Sequence, residues 1–208
     1  MKGRIAVQAI AAIIVIYACY RIFMYYYNKD NSNTEKVLID KETQFIETFK
    51  KVINRNEIFK PNVNFSLSWK MKILNIPSNF AWNSSVKKNK PIVLNGGCPD
   101  IFYNPHHNQI LIMFEMLDTH SMTFPKTIKI TDIPVQSWVN YALVVKGRQV
   151  NFYINGELKH SQLMENVPLK QNGALRFGTI NNNFLGHVNN FVYYNYPLKM
   201  DEVQSISF

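Results

Sequence analysis

The chain has 208 residues, with 23 Lys and Arg against 14 Asp and Glu, and 47% of it is hydrophobic. That length holds one well-cored domain plus an appendage and excludes two such domains. The formal charge of +9 is spread along the chain and not gathered into a basic run, which argues against a nucleic-acid partner.

Met1 to Tyr27 reads as a membrane segment. Lys2 and Arg4 precede Ile5-Ala6-Val7, Ala9 to Tyr20 is uninterrupted apolar sequence, and Arg21 is followed by Ile22-Phe23-Met24-Tyr25-Tyr26-Tyr27. A helix from Ile5 to Tyr27, rising ~1.5 Å per residue, reaches about 34 Å and crosses a hydrocarbon core of ~30 Å. Arg21 is near enough to one end to snorkel to the headgroups, where the tyrosines form an aromatic belt. No small-x-small site precedes a polar region, as a cleaved leader would require. Ile16-Tyr17-Ala18-Cys19 loosely resembles a lipobox, but Tyr17 is bulky and the residues after Cys19 are apolar. Residues 1–27 are therefore expected to be an uncleaved signal-anchor helix. Lys2 and Arg4 put the N-terminus in the cytoplasm and the rest of this single-pass protein on the opposite side.

Residues 28–36, Asn28 to Lys36, are polar turn-formers and form a linker. Residues 37–208 are expected to be one domain. In Val37 to Phe59, Phe45, Phe49 and Val52 fall at helical spacing, whereas Phe45-Ile46-Glu47-Thr48-Phe49 alternates as a strand does. Strands are predicted at Asn64–Ile73, Pro91–Leu94, Ile110–Glu115 and Thr127–Ile130, with Gly, Pro and Asn between them. From Trp138 to Leu158 two alternating strands meet at Lys146-Gly147-Arg148, and the second runs into Asn155-Gly156. Asn-Gly supplies the positive φ of a two-residue primed turn, so Glu157 to Lys159 should return as a third strand. Trp69, Trp138 and Phe152 lie in these strands and read as core. The whole pattern indicates two packed antiparallel sheets.

The Trp138 strand pair, closing on Phe152-Tyr153-Ile154-Asn155-Gly156, resembles that of laminin-G-like, concanavalin A-like jelly rolls. Leu175-Arg176-Phe177-Gly178 resembles the next strand of that family, Phe184-x-Gly186 through Tyr194-Asn195 its late strand, and Leu198 to Val203 its closing turn. Phe65 to Trp69 resembles an early strand. The resemblance covers Val63 to Val203 and favours a strand over a helix around Phe45. It implies an all-β, two-sheet jelly-roll sandwich of the lectin and glucanase type. Where many members carry an acidic pair, this chain has Asn189-Asn190, which argues against an acid-dependent calcium role there.

The resemblance raises glycoside hydrolysis, which needs two carboxylates facing one cleft. Glu115 and Asp118 are oddly spaced on a strand and point to opposite faces, so the chain is not expected to be an enzyme. Cys98, Asp100, His106, His107 and His120 share one region without the regular spacing of a zinc site. Calcium is the one cofactor the oxygen donors Asp100, Asn104 and Asp118 leave open; otherwise none is expected. Cys19 and Cys98 fall in different parts of the chain and build no disulfide framework. A sugar wants an aromatic face with amide or carboxylate partners. Two loops offer these, Asn79 to Asn83 with Trp82, and Asn95 to Asn104 with Asp100, Tyr103 and Asn104. The leading expectation is a membrane-anchored, non-catalytic module that binds a glycan or a protein. The alternative is a structural tether in a large assembly, such as a virion with an internal membrane.

Overall fold

The computed structural model describes residues 14–24, 34–46, 49–54, 63–74, 89–95, 99–117, 122–169, 174–180 and 184–206. The chain divides into two compact units, Met1–Thr34 and Glu35–Phe208. In the first, residues 14–24 form a helix, α1. Its Ile14, Val15, Ile16, Tyr17, Tyr20, Ile22 and Phe23 are all exposed, the reverse of a helix that lays one apolar stripe on a core. As described, α1 is shorter than the ~20 residues of a membrane span, and no helix among the described residues is long and apolar enough to cross a membrane. The rest of the expected anchor, residues 1–13 and 25–27, lies outside the described residues.

The second unit is the expected antiparallel sandwich. Its strands are β1 (Glu35–Ile39), β2 (Thr43–Phe45), β3 (Lys51–Ile53), β4 (Phe65–Ile73), β5 (Lys90–Leu94), β6 (Asp100–Asn104) and β7 (Gln109–Leu117). They continue as β8 (Thr123–Ile130), β9 (Trp138–Lys146), β10 (Gln149–Ile154), β11 (Glu157–Leu163), β12 (Leu175–Phe177) and β13 (Gly186–Tyr194), and a helix, α2 (Met200–Ile206), follows. The first sheet runs β1-β13-β4-β9-β10-β11, with β2 also on β13; the second runs β3-β12-β5-β6-β7-β8.

Alternation decides which side chains meet between the sheets. In β4 the inward row is Phe65, Leu67, Trp69, Met71 and Ile73; in β9 it is Val139, Tyr141, Leu143 and Val145. Trp69 stacks between Tyr141 at 5.5 Å and Phe191 at 5.4 Å. Large apolar side chains of this kind each contribute about 1.5–3 kcal/mol on burial. In β13 the register against β4 jumps between Asn189 and Val192, and Asn190 takes a φ of 48°. This bulge absorbs the extra residue and turns both Val188 and Phe191 into the core. Gly186 is demanded by close approach. A Cβ there would lie 2.4 Å from the Lys72 carbonyl oxygen and 2.6 Å from the Phe184 ring.

The Asn155-Gly156 turn has φ values of 49° and 79°, as a primed two-residue hairpin requires. The strand that follows is longer than expected and reaches Leu163. β8 likewise begins earlier, at Thr123. Around Phe45 the described residues form strand and no helix, as the resemblance favours. They make two short strands in different sheets, β2 on β13 and β3 on β12. The Asn95–Asn104 segment is not all loop, because Asp100–Asn104 is β6, an interior strand of the second sheet. Ile101 and Tyr103 alternate into the core, and that short period was hidden by the glycines and Pro99 ahead of it. The closing turn after Pro197 becomes α2. Leu198 and Val203 are buried, and Glu202 Oε2 accepts the Lys199 N–H at 2.7 Å, half of a capping box.

Candidate functional site

Of the four residues expected to contact a ligand, Asp100, Tyr103 and Asn104 lie on β6 in the β6–β7 hairpin. Tyr103 is 2% exposed, and its ring lies edge-on to Phe184 at 6.4 Å. Its hydroxyl donates to Asn108 Oδ1 at 3.1 Å, and burial pushes its pKa up to about 12. No face of this ring is open to stack on a ligand. Asp100, 8% exposed, accepts the Asn95 N–H on its carboxylate. Asn104 Oδ1 accepts from the His106 and His107 N–H groups at 3.0 and 3.1 Å, and its amide donates to Asn89 Oδ1 at 3.0 Å. Asn104 thus shapes a turn on which the two histidines are exposed. Trp82, Cys98, Asp118 and His120 lie outside the described residues. Among the described residues no group of acidic, histidine or cysteine side chains is gathered to hold a metal.

A different constellation stands on the outer face of the first sheet. Trp138, read from sequence as core, is 39% exposed. It lies out of phase with buried Val139, Tyr141, Leu143 and Val145, so alternation turns it outward. Trp138 pairs with Lys72, Lys72 with His187, and His187 with Gln44, so one row of side chains crosses four strands on one face. The next row is Asn140, Lys70 and Asn189. The imidazole of His187 meets the indole of Trp138 edge to face at 6.2 Å, and its Nδ1 lies 2.8 Å from Glu42 Oε1. Neither Lys70 nor Lys72 has an acidic partner among the described residues. Asn155 Oδ1 accepts the Asn140 N–H at 2.9 Å, which ties the primed turn to this face.

The other half of the same face is closed. α2 lies over it, and Leu198 and Val203 cluster with Ala142, Val144, Tyr153, Val192 and Tyr194. Ser66 Oγ accepts the Leu198 N–H at 2.8 Å and donates to the Tyr196 carbonyl at 3.1 Å, pinning the approach to the helix. The signal for the open half was present in the sequence as the phase of Lys70, Lys72, Trp138 and Asn140 against their buried neighbours. What the sequence lacked was the register that sets those two strands and β13 side by side.

Two packed antiparallel sheets in this strand order define a jelly-roll sandwich. Residues 55–204 match the family model of the concanavalin A-like lectin/glucanases superfamily, and the chain belongs to that superfamily. No curated protein matches the sequence. Among solved structures, the binding domain of Paraclostridial Mosquitocidal Protein 1 is similar with a TM-score of 0.63 at 16% identity, over 85% of this chain and 45% of that one. The receptor binding domain of botulinum neurotoxin D gives 0.60 at 16% identity, over 85% and 47%. The botulinum neurotoxin serotype D ligand binding domain, solved in complex with N-acetylneuraminic acid, gives 0.61 at 15% identity, over 85% and 46%. The chain spans a little under half the length of these solved chains, and at such identities the likeness is one of fold.

Proposed function

We propose that the sandwich is a non-catalytic recognition module for carbohydrate or protein, held at a membrane surface by residues 1–27. The observation that carries the recognition reading is the open half of the first sheet's outer face. There an exposed Trp138 is held by His187, which is held in turn by Glu42, with lysines and amides around them. A pre-ordered aromatic and polar surface binds with little further ordering. The solved domains of similar fold, named for binding, support the same reading. So does the use made of the acids whose contacts are described. Asp100 closes a turn, Glu42 pairs with His187, Asp132 accepts from the Thr131 hydroxyl, Glu165 pairs with Lys126, and Glu202 caps α2. Each has a structural task of its own, whereas hydrolysis needs two free acids across one cleft.

The anchor reading draws on the apolar run from Ile5 to Tyr27 and on the exposed apolar side chains all round α1. Lys2 and Arg4 ahead of the apolar run support a cytoplasmic N-terminus with the sandwich on the opposite side. The full chain in lipid nanodiscs, probed on a glycan array, tests the function. Selective retention of a glycan class without turnover is expected; release of cleaved sugar would overturn the non-catalytic reading. For the anchor, the protein should stay with membranes after alkaline carbonate extraction. Recovery in the soluble fraction, starting near Cys19, would replace the anchor with a processed leader.

A further inference from the structure

The two rows beside Trp138 have a size and a charge that narrow the ligand. β9, β4, β13 and β2 are neighbours, so at ~4.8 Å between strands the row from Trp138 to Gln44 is about 14 Å wide. Two rows two residues apart add about 7 Å, for a patch on the order of 100 Å². That is far below the ~800 Å² per partner of a stable protein interface, and it fits the footprint of one or two sugar rings. The chemistry fits as well. An indole presents an apolar face to the C–H side of a pyranose, and the exposed Gln44 amide can exchange hydrogen bonds with hydroxyls.

The charge is the more selective feature. Lys72 lies between Trp138 and His187 in the first row, and Lys70 between Asn140 and Asn189 in the second. The Glu42 carboxylate is engaged by His187 at 2.8 Å. It fixes the imidazole beside the indole, and neither ammonium group has an ion-pair partner among the described residues. A neutral sugar offers the two ammonium groups only hydroxyl acceptors, whereas an acidic one adds charge pairing to the hydrogen bonds.

Building on the recognition function, we infer that this face is a subsite for an acidic saccharide, one that carries a carboxylate or a sulfate group. Trp138 stacks on the ring, Lys70 and Lys72 receive the anionic group, and Glu42 acts through His187 as a positioning residue for the indole. The site belongs to the sheet itself and involves none of the β6–β7 hairpin.

The test uses the full chain in zwitterionic nanodiscs, titrated with 3′-sialyllactose, with a sulfated lactose and with plain lactose, followed by ligand-observed NMR. At least one acidic sugar should bind, and lactose should bind at least tenfold more weakly. The two acidic probes tell carboxylate from sulfate. Trp138→Ala, and Lys70→Gln combined with Lys72→Gln, should each weaken binding at least tenfold with the circular dichroism spectrum and melting temperature kept. Because the lysine pair removes no core contact, it keeps the test decisive even where Trp138→Ala unfolds. Equal binding of lactose and the acidic sugars would overturn the proposal. So would acidic-sugar binding that survives both variants, an outcome that leaves the recognition function standing with its site elsewhere. If the wild type ignores all three sugars but binds an unrelated glycan on the array, the acidic subsite alone fails. If it binds no glycan and instead holds anionic vesicles through the two lysines, the saccharide reading fails with it.

Discussion

The two halves of the first sheet's outer face are built from the same strands and end in opposite ways. Under α2 the outward residues of β9 are Ala142 and Val144, and Tyr194 and Val192 of β13 join them in a second small core. Toward the other end the same strands present Trp138 and Asn140, His187 and Asn189, with Lys70 and Lys72 on β4 between them. Small and apolar outward residues call for a cover, and α2 supplies it. Long, charged and amphipathic ones need none, since a Lys stem or an indole can lie on the sheet while its polar end stays wet. The covered half thus contributes stability, and the other half keeps Trp138 and Gln44 exposed.

Loading the covered half with charge should have the largest effect. Val203, 1% exposed, packs α2 against the sheet. Val203→Asp buries an unpaired carboxylate and should cost roughly 3 kcal/mol or more, read as a drop in the urea midpoint. A midpoint like that of the wild type would mean that α2 does not cover the sheet. Next comes Gly186, beside the open half, where Gly186→Ala forces a Cβ onto the Lys72 carbonyl and the Phe184 ring. Overpacking of this kind costs roughly 1–3 kcal/mol, and a melting temperature that does not fall would show that the late strand can shift to admit a side chain.

Alkali should also act on the covered half. Burial raises the Tyr194 pKa above its ordinary value, opposed by its hydrogen bond to Ser68 and reinforced by Glu35 and Glu202. A tyrosine whose pKa is higher folded than unfolded contributes stability that is fully present below about pH 10 and is lost as pH rises further. Stability should therefore decline above pH 10, with Tyr103, pushed up to about 12, adding to the loss. Tyr194→Phe should flatten part of that slope in a pH series of thermal melts; an unchanged slope would remove Tyr194 from the account. The smallest effect belongs to the open half. Trp138→Ala should change stability by about 1 kcal/mol or less, since surface substitutions away from special features rarely do more. A loss as large as that of Val203→Asp would show that the indole belongs to the core after all.

The sequence by itself determined the sandwich. Period-two rows in β4, β7, β9 and β10, the Asn155-Gly156 turn and the Phe184-x-Gly186 motif are local signals. A strand's alternation and a turn's need for positive φ depend only on neighbouring residues. The same locality misled at β6, where Pro99 and the glycines before it suggested a loop while Ile101 and Tyr103 were already alternating into the core. It misled again at Trp138, where a large aromatic in a strand was read by size and not by phase. Only the tertiary structure decided which half of the outer face α2 would cover. It alone set the β13 bulge that brings His187 beside Trp138, and the pairing of His187 with Glu42. Those outcomes depend on register between strands more than a hundred residues apart, β4 with β13 above all. Register is fixed by how the whole core packs, and no single segment carries it.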